Sequence, residues 1–176
     1  RQRQMCIRDS LKTGRICGAE ALVRYQHERK GVITPDKFLP EIEKAGLIRY
    51  IDLFVLEESC RLMRQWLDEG WEGFPVSLNY SRITILEPGI LEETCSITDR
   101  YRIPHRLISI EITETISAVD NISLKAITTA FTEAGYGISL DDFGTEYSNI
   151  HVLYDLPIKI LKIDRSIVTD MFHNPK

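Results

Sequence analysis

Three segments of the chain share one short pattern: an apolar residue, a serine, an apolar residue and then a side chain that carries oxygen. The segments are Val76–Asn79, Ile108–Glu111 and Ile138–Asp141. Their last positions are 32 and 30 residues apart, about the length of one strand–helix–strand unit. Repetition of such units predicts an α/β fold with a parallel sheet covered by helices.

The oxygen-bearing residues are expected to lie together. Successive side chains of a strand point to opposite faces, so each serine shares a face with the residue that ends its segment. In a (β/α) barrel this places the polar set inside, at the C-terminal rim where active sites are built. The adjacent carboxylates Asp141 and Asp142 repel each other unless a cation or a proton lies between them, and oxygen ligands favour Mg²⁺, Mn²⁺ or Ca²⁺. The alternative interpretation is a solvated Asp-Asp turn.

A further acid, Glu20, lies within the apolar strand predicted for Ile16–Val23. A buried carboxylate is costly unless it is paired or bound to a metal. One interpretation is therefore a metal ligand, and the other is a salt bridge with Arg24 on the same strand face.

The composition is that of a globular domain and argues against nucleic-acid binding, a zinc site and a membrane-spanning segment. The chain has 176 residues, 43% hydrophobic and 27% charged, with a net charge of −4, as in ordinary one-domain globular proteins. It has no stripe of lysine and arginine, so we expect no nucleic-acid polymer as a partner. The scattered cysteines and histidines indicate free thiols in a reducing compartment and no zinc site. No apolar run is long enough to span a membrane, so we expect a cytoplasmic domain, with an anchor elsewhere in a longer parent protein left open.

Periodicity predicts about six strands that mostly alternate with helices. Helices are expected near residues 35–45, 48–69, 88–99 and 123–134, and the apolar stripe of the second is expected to be Ile51, Phe54, Val55, Leu62 and Trp66. No element is predicted for residues 1–10. A complete (β/α)8 barrel needs roughly 250 residues, so two strands of the eight are expected to be missing.

Five motifs resemble, in order and spacing, those of the EAL domain family of cyclic di-GMP phosphodiesterases: GAEALVR, SLNYS, EITET, DDFGTEYSN and LKIDRS. The resemblance implies a modified (β/α)8 TIM-like barrel whose first strand runs antiparallel to the others. It runs from about Leu11 to about Val168, so residues 11–176 are expected to form a partial EAL barrel and residues 1–10 an unmatched end.

The resemblance also implies the chemistry and the residues that perform it. A two-metal site with Mg²⁺ or Mn²⁺ would activate a water molecule that hydrolyses cyclic di-GMP to linear pGpG. The implied metal ligands are Glu20, Asn79, Glu111, Asp141 and Asp142. Lys162 would hydrogen-bond the attacking water, Leu22 and Arg24 would contact the substrate, and Glu114 would steady the loop after the DDFG strand. From spacing alone, Lys162 could equally be a surface lysine and Glu114 a solvated loop acid.

Departures from the family pattern leave a second function open. Glu146 replaces a glycine in the loop that couples dimerisation to metal binding in the family, and we expect a homodimer through the loop and helix around it. The family also has a metal-ligating glutamate and a glutamine beyond the position of Lys176. The metal centre is therefore expected to be incomplete in this fragment, and the fragment alone inactive and poorly stable. The alternative is a degenerate EAL domain that serves as a cyclic di-GMP receptor or a protein-interaction module.

Overall fold

Strands and helices alternate along most of the chain. The computed structural model describes residues 2–71, 73–113, 121–144 and 151–173. Its strands are β1 (Gln2–Asp9), β2 (Ile16–His27), β3 (Gly31–Ile33), β4 (Val76–Asn79), β5 (Ile108–Thr113), β6 (Gly137–Phe143) and β7 (Ile160–Ile163). Its helices are α1 (Pro35–Lys44), α2 (Ile48–Asp68), α3 (Arg82–Ile85), α4 (Ile90–Arg100), α5 (Asn121–Glu133), α6 (His151–Asp155) and α7 (Arg165–His173), with a 3-10 turn at His105–Leu107.

The strands form one sheet in the order β1-β2-β4-β5-β6-β7, and β3 pairs with β2 outside this path. Strand β1 is antiparallel to β2, whereas each later strand of the path is parallel to its neighbour. Crossover helices between parallel strands are the connectivity of a (β/α) barrel. The predicted fold class, a partial barrel with about six strands, is therefore confirmed over the part of the chain that the structure describes.

Strand β1 was not predicted from the sequence. Residues 1–10 show no apolar periodicity, yet Gln2 pairs with Arg24 and the ladder continues to Asp9 opposite Ile16. Strand pairing is made by backbone groups, which every residue except proline carries, so a neighbouring strand can recruit a segment without a hydrophobic pattern. The sequence pattern alone therefore does not reveal β1, and the domain boundary near residue 10 stays a prediction.

The main core lies between the outer face of the sheet and the helices. The aliphatic residues that the repeated pattern places on this face are fully buried: Val76, Leu78, Ile108, Ile110, Ile138 and Leu140. On the inner face the serines of the pattern are also buried, and Ser109 Oγ lies 2.6 Å from Ser139 Oγ. The sheet is thus covered on both sides, with a layer of small polar residues beneath the C-terminal rim.

Because this layer of small residues is tightly packed, a larger side chain within it is expected to destabilise the fold. A Cβ atom at Gly137 would lie 3.0 Å from Ser109 Oγ and 3.3 Å from Ser109 Cβ. We expect Gly137→Ala to lower the free energy of unfolding by about 1–3 kcal/mol, because overpacking forces side chains and backbone to shift. Urea unfolding measures this change. Gly18→Ala is the matched control, since its Cβ would make only an ordinary 3.4 Å contact with Pro75 O. Equal stability of the two variants would contradict the prediction.

Candidate metal-binding site

The strand register places the predicted metal ligands at one height in the barrel, although they are not all paired directly with one another. Asn79 on β4 lies opposite Glu111 on β5. Glu20 on β2 lies opposite Ser77, which is two residues before Asn79. Asp141 on β6 lies opposite Thr113, which is two residues after Glu111. Barrel strands tilt against the barrel axis, so residues at the same height climb along successive strands in this way.

Three carboxylates meet at this rim. Ligand oxygens of Glu20, Glu111 and Asp141 all lie within 4.8 Å of one another. Asn79 joins them, since its Nδ2 donates a hydrogen bond to Glu20 Oε1 at 3.0 Å. Four of the five predicted metal ligands are therefore brought together from four different strands.

Lys162 on β7 points into the middle of the three carboxylates. Its Nζ donates to Glu20 Oε2 at 2.9 Å, to Glu111 Oε2 at 2.7 Å and to Asp141 Oδ2 at 2.8 Å. Burial alone would lower the pKa of Lys162, but the bonds to Asp141, Glu111 and Glu20 outweigh it and raise the pKa. The side chain is consequently an ammonium at neutral pH. The surface-lysine interpretation is excluded for Lys162 and fits Lys159, which is exposed.

Glu20 and Glu111 differ in the direction in which their pKa values are shifted. Burial would raise the pKa of Glu20, but hydrogen bonds from Lys162 and Asn79 leave it lowered. For Glu111, which is 1% exposed, burial and the charge of Glu20 prevail over Lys162 and raise the pKa. Glu111 therefore resists ionisation although both Lys162 and Arg8 contact it, because burial outweighs their positive charges.

Asp142 lies apart from the three-carboxylate group. The register between β6 and β7 shifts between Leu140 and Phe143, and Asp142 has a left-handed backbone with φ of 55°. Such a bulge re-aims side chains. Burial, followed by the charges of Asp141 and Asp164, raises the pKa of Asp142. The carboxylate repulsion predicted from sequence is therefore present, and a role of Asp142 toward a second metal remains a prediction.

Of the two predicted substrate contacts, Leu22 lines a cavity beside the acids, whereas Arg24 does not line it. A cavity of about 320 Å³ is lined by Glu20, Asn79 and Leu22 together with apolar side chains of α1 and α2. Arg24 lies two residues further along β2 than Leu22, and its Nη1 donates to Val23 O at 2.8 Å. Glu114 and Glu146 fall outside the described residues, so their predicted roles stay predictions.

Two site residues were missed by the sequence analysis. Arg8 Nη2 lies 3.1 Å from Glu111 Oε1 and also donates to Ser77 Oγ, but its buried Nε has no partner among the described residues. No motif pointed to Arg8. Asp52 on α2 is 8% exposed and lines the cavity. A signal for Asp52 existed, because it lies four residues after Ile48 and four before Leu56, on the buried face of the helix.

The residues present fit a divalent cation. Carboxylate and amide oxygens are the ligands of Mg²⁺ and Mn²⁺, and here they come from rigid strand ends. One ammonium from Lys162 and one guanidinium from Arg8 face three carboxylates, so one negative charge remains. A metal ion would supply the missing positive charge.

Fold and site together define a barrel protein with a cluster of carboxylates at its rim that could hold a metal ion. The chain belongs to the EAL domain family, whose model matches residues 6–176. The family expected from the motifs is thereby confirmed.

Relatives in this family include proteins named for cyclic di-GMP chemistry. The bifunctional diguanylate cyclase/cyclic di-GMP phosphodiesterase MucR of Pseudomonas aeruginosa is 37% identical over 161 residues, which are 92% of this chain and 24% of that protein. A cyclic di-GMP phosphodiesterase of the same organism is 34% identical over 94% of this chain and 28% of its own length. The chain thus spans about a quarter of the length of these curated relatives.

Solved structures agree on the fold. The structure titled "PaMucR Phosphodiesterase, c-di-GMP complex" superposes with a TM-score of 0.88 at 35% identity, over 98% of this chain and 71% of that one. An EAL enzyme, Bd1971, in a form with cAMP and cyclic di-GMP bound, gives a TM-score of 0.88 at 26% identity, over 98% and 48% of the two chains. Among the described residues, no helix combines the length and apolar character needed to cross a membrane.

Proposed function

We propose that this chain is a cyclic di-GMP phosphodiesterase domain that hydrolyses one phosphodiester of the cyclic dinucleotide to give linear pGpG. The observation that carries the proposal is the group of Glu20, Glu111 and Asp141, with ligand oxygens within 4.8 Å of one another at a barrel rim. The relatives that are cyclic di-GMP phosphodiesterases, one of them solved in complex with the nucleotide, indicate the substrate.

Glu20, Asn79, Glu111 and Asp141 would hold one Mg²⁺ or Mn²⁺, and Asp141 and Asp142 would face a second. When bound, divalent cations neutralise charge that develops on the phosphodiester and activate water for attack. The residual negative charge of the rim supports this assignment.

The remaining residues bind the substrate or hold protons. Lys162 carries its proton on Nζ at neutral pH, because three carboxylates accept bonds from it. It therefore acts by donating a hydrogen bond to the attacking water and stabilising negative charge, rather than by removing a proton. Leu22 packs against the substrate in the cavity beside Glu20, and Arg24 forms a charge-assisted bond to phosphate. Glu114 steadies the loop after β6.

The direct test is hydrolysis of cyclic di-GMP by the purified full-length protein with Mn²⁺ or Mg²⁺, followed by chromatography of the product. We expect metal-dependent formation of pGpG, and chelation by EDTA should stop it. Metal-bound protein that binds the nucleotide without converting it would refute the catalytic proposal.

Glu146 favours a second candidate function, that of a nucleotide receptor or protein-interaction module without turnover. Glutamate tolerates a positive φ poorly, a conformation that glycine adopts freely, and Glu146 adds a negative charge four residues after Asp142 in the sequence. If the loop is impaired, Glu146→Gly should raise kcat at least about tenfold, the gain that corresponds to about 1.4 kcal/mol of barrier. Steady-state kinetics of both proteins measure this, and an unchanged kcat would show that Glu146 is not the obstacle.

We further propose that the domain works in the cytoplasm as a homodimer formed through the loop and helix around Glu146. The described cysteines, Cys6, Cys17, Cys60 and Cys95, are all free thiols, which is typical of a reducing compartment. Sedimentation of the wild type and Glu146→Gly tests the assembly.

A further inference from the structure

The corner that follows β4 is fastened to the rest of the fold by a buried hydrogen-bond network. Strand β4 ends at Asn79, and Ser81 caps the short helix α3 by accepting a bond from Thr84 N at 3.1 Å. Asp52 on α2 accepts twice through Oδ2, from Ser81 N at 2.9 Å and from Thr84 Oγ1 at 2.6 Å. Thr84 is completely buried and Asp52 is 8% exposed, so the bond between them is shielded from water, while Ser81 is half-buried.

Tyr80 fastens the other side of the same corner. Its hydroxyl lies 2.9 Å from Thr94 Oγ1 on α4, and its backbone N–H donates to Glu111 O at 3.0 Å. The residue between β4 and α3 is therefore held by α4 and β5, while Ser81 and Thr84 are held by α2. Asn79 is the last strand residue before this fixed corner, and it carries the amide that contacts Glu20.

We propose that Asp52 and Thr84 are positioning residues that hold Asn79 in the geometry needed to bind the metal. This inference rests on the proposed metal site. Asn79 is exposed at the rim and is the last residue of β4, so the backbone that follows it helps to set the direction of its amide. Groups that hydrogen-bond a metal ligand directly typically contribute about 10–100-fold to metal affinity by fixing its orientation. Asp52 and Thr84 act on Asn79 through the adjacent backbone, so we expect an effect at the lower end of this range.

Thr84→Val tests the network without touching the cavity, because Thr84 does not line it. The variant keeps the side-chain volume but loses the hydroxyl that donates a hydrogen bond to Asp52. We expect Mn²⁺ affinity of the full-length protein, measured calorimetrically after chelator treatment, to weaken about tenfold. Thr84→Ser keeps the hydroxyl and should restore the affinity. A purely structural role would lower the melting temperature without changing the Mn²⁺ dissociation constant of the folded protein.

Thr128→Val is the matched control. Thr128 is also completely buried, but within the described part of the chain its hydroxyl bonds only to carbonyls of its own helix α5, Leu124 O at 2.7 Å and Lys125 O at 3.2 Å. We expect this variant to lose some stability and to keep wild-type Mn²⁺ affinity. Should Thr84→Val fail to fold, Tyr80→Phe loosens the same corner from the α4 side and should also weaken Mn²⁺ binding.

The outcomes separate this inference from the proposed function. Absence of Mn²⁺ binding in the wild type would refute the metal site itself. Wild-type binding together with unchanged affinity in Thr84→Val would refute only the positioning role. Weakened binding that Thr84→Ser does not restore would show that the hydroxyl is not the cause, and would also refute it.

Discussion

Replacing Glu20 by glutamine is expected to abolish metal-dependent hydrolysis of cyclic di-GMP, with a fall in turnover of at least about 100-fold. The estimate is a lower bound, because partners that only orient metal ligands already contribute 10–100-fold. Glu20 supplies one of the three carboxylates that lie within 4.8 Å of one another, and glutamine keeps its shape while removing its charge. Steady-state kinetics with Mn²⁺ measure kcat for the wild type and for Glu20→Gln.

The fold should survive this substitution, because Lys162 then retains Glu111 and Asp141 as partners. Glu41→Gln is the matched control, since Glu41 is an exposed acid on α1 paired with Lys44 at 2.8 Å. We expect Glu41→Gln to keep full activity. Equal activity of Glu20→Gln and the control would remove Glu20 from the metal site.

Replacing Lys162 by methionine is expected to have the largest effect on the stability of the metal-free protein. The ammonium is the partner shared by Glu20, Glu111 and Asp141, whose side chains are 15%, 0% and 23% exposed. Removing one partner of a buried charge network leaves uncompensated charge and typically costs about 3–5 kcal/mol. Urea unfolding of the chelator-treated proteins at neutral pH measures the loss.

The pH dependence of this loss follows from its cause. Lys162 lowers the pKa values of Glu20 and Glu111, so without the ammonium these values rise in the folded state and the folded protein binds more protons than the unfolded chain. Stability of Lys162→Met should then fall as pH rises above about 4, the carboxyl pKa range of unfolded chains, and the deficit against wild type should grow toward neutral pH. A deficit that stays constant between acidic and neutral pH would contradict the charge argument.

Divalent metal should partly replace the missing charge. We expect Mn²⁺ to raise the melting temperature of Lys162→Met more than that of the wild type, because the metal no longer competes with an ammonium for the same oxygens. Lys159→Met is the control, since Lys159 is an exposed lysine three residues earlier in the chain. It should behave as wild type in both measurements.

Much of this architecture is readable from the sequence because the repeated pattern couples two physical requirements. Residues such as Ile110 and Leu140 must face helices, and Glu111 and Asp141 must then face the barrel interior, as the structure shows. Alternation fixes the face of each residue, and the 30-residue spacing fixes the strand–helix connectivity. The set of residues at the rim follows from these two rules.

The height of each residue in the barrel was not predictable in the same way. The pattern treats Asn79, Glu111 and Asp141 as equivalent, but Asp141 pairs two residues beyond Glu111. Register depends on strand tilt and closure, which are properties of the whole sheet. The bulge that separates Asp142 from Asp141 likewise depends on pairing with β7.

Helix α2 shows a second limit. The stripe of Ile51, Phe54, Val55, Leu62 and Trp66 was expected to be its core, yet these residues are only partly buried. The helix fully buries Leu56, Cys60 and Met63, with Asp52 on the same face. A helix with apolar residues on two faces leaves the inner face undecided, and tertiary packing selects it. The selected face carries Asp52 to the corner after Asn79, which no local pattern encodes.

Titration of the chelator-treated full-length protein with Mn²⁺, for the wild type and for Asp141→Asn, tests the central claim most directly. If Glu20, Glu111 and Asp141 coordinate one cation, the wild type should bind Mn²⁺ saturably. The asparagine variant should then bind at least about tenfold more weakly, the minimum typical even for partners that only orient a ligand. Equal affinity in the two proteins, or no binding by the wild type, would contradict the account.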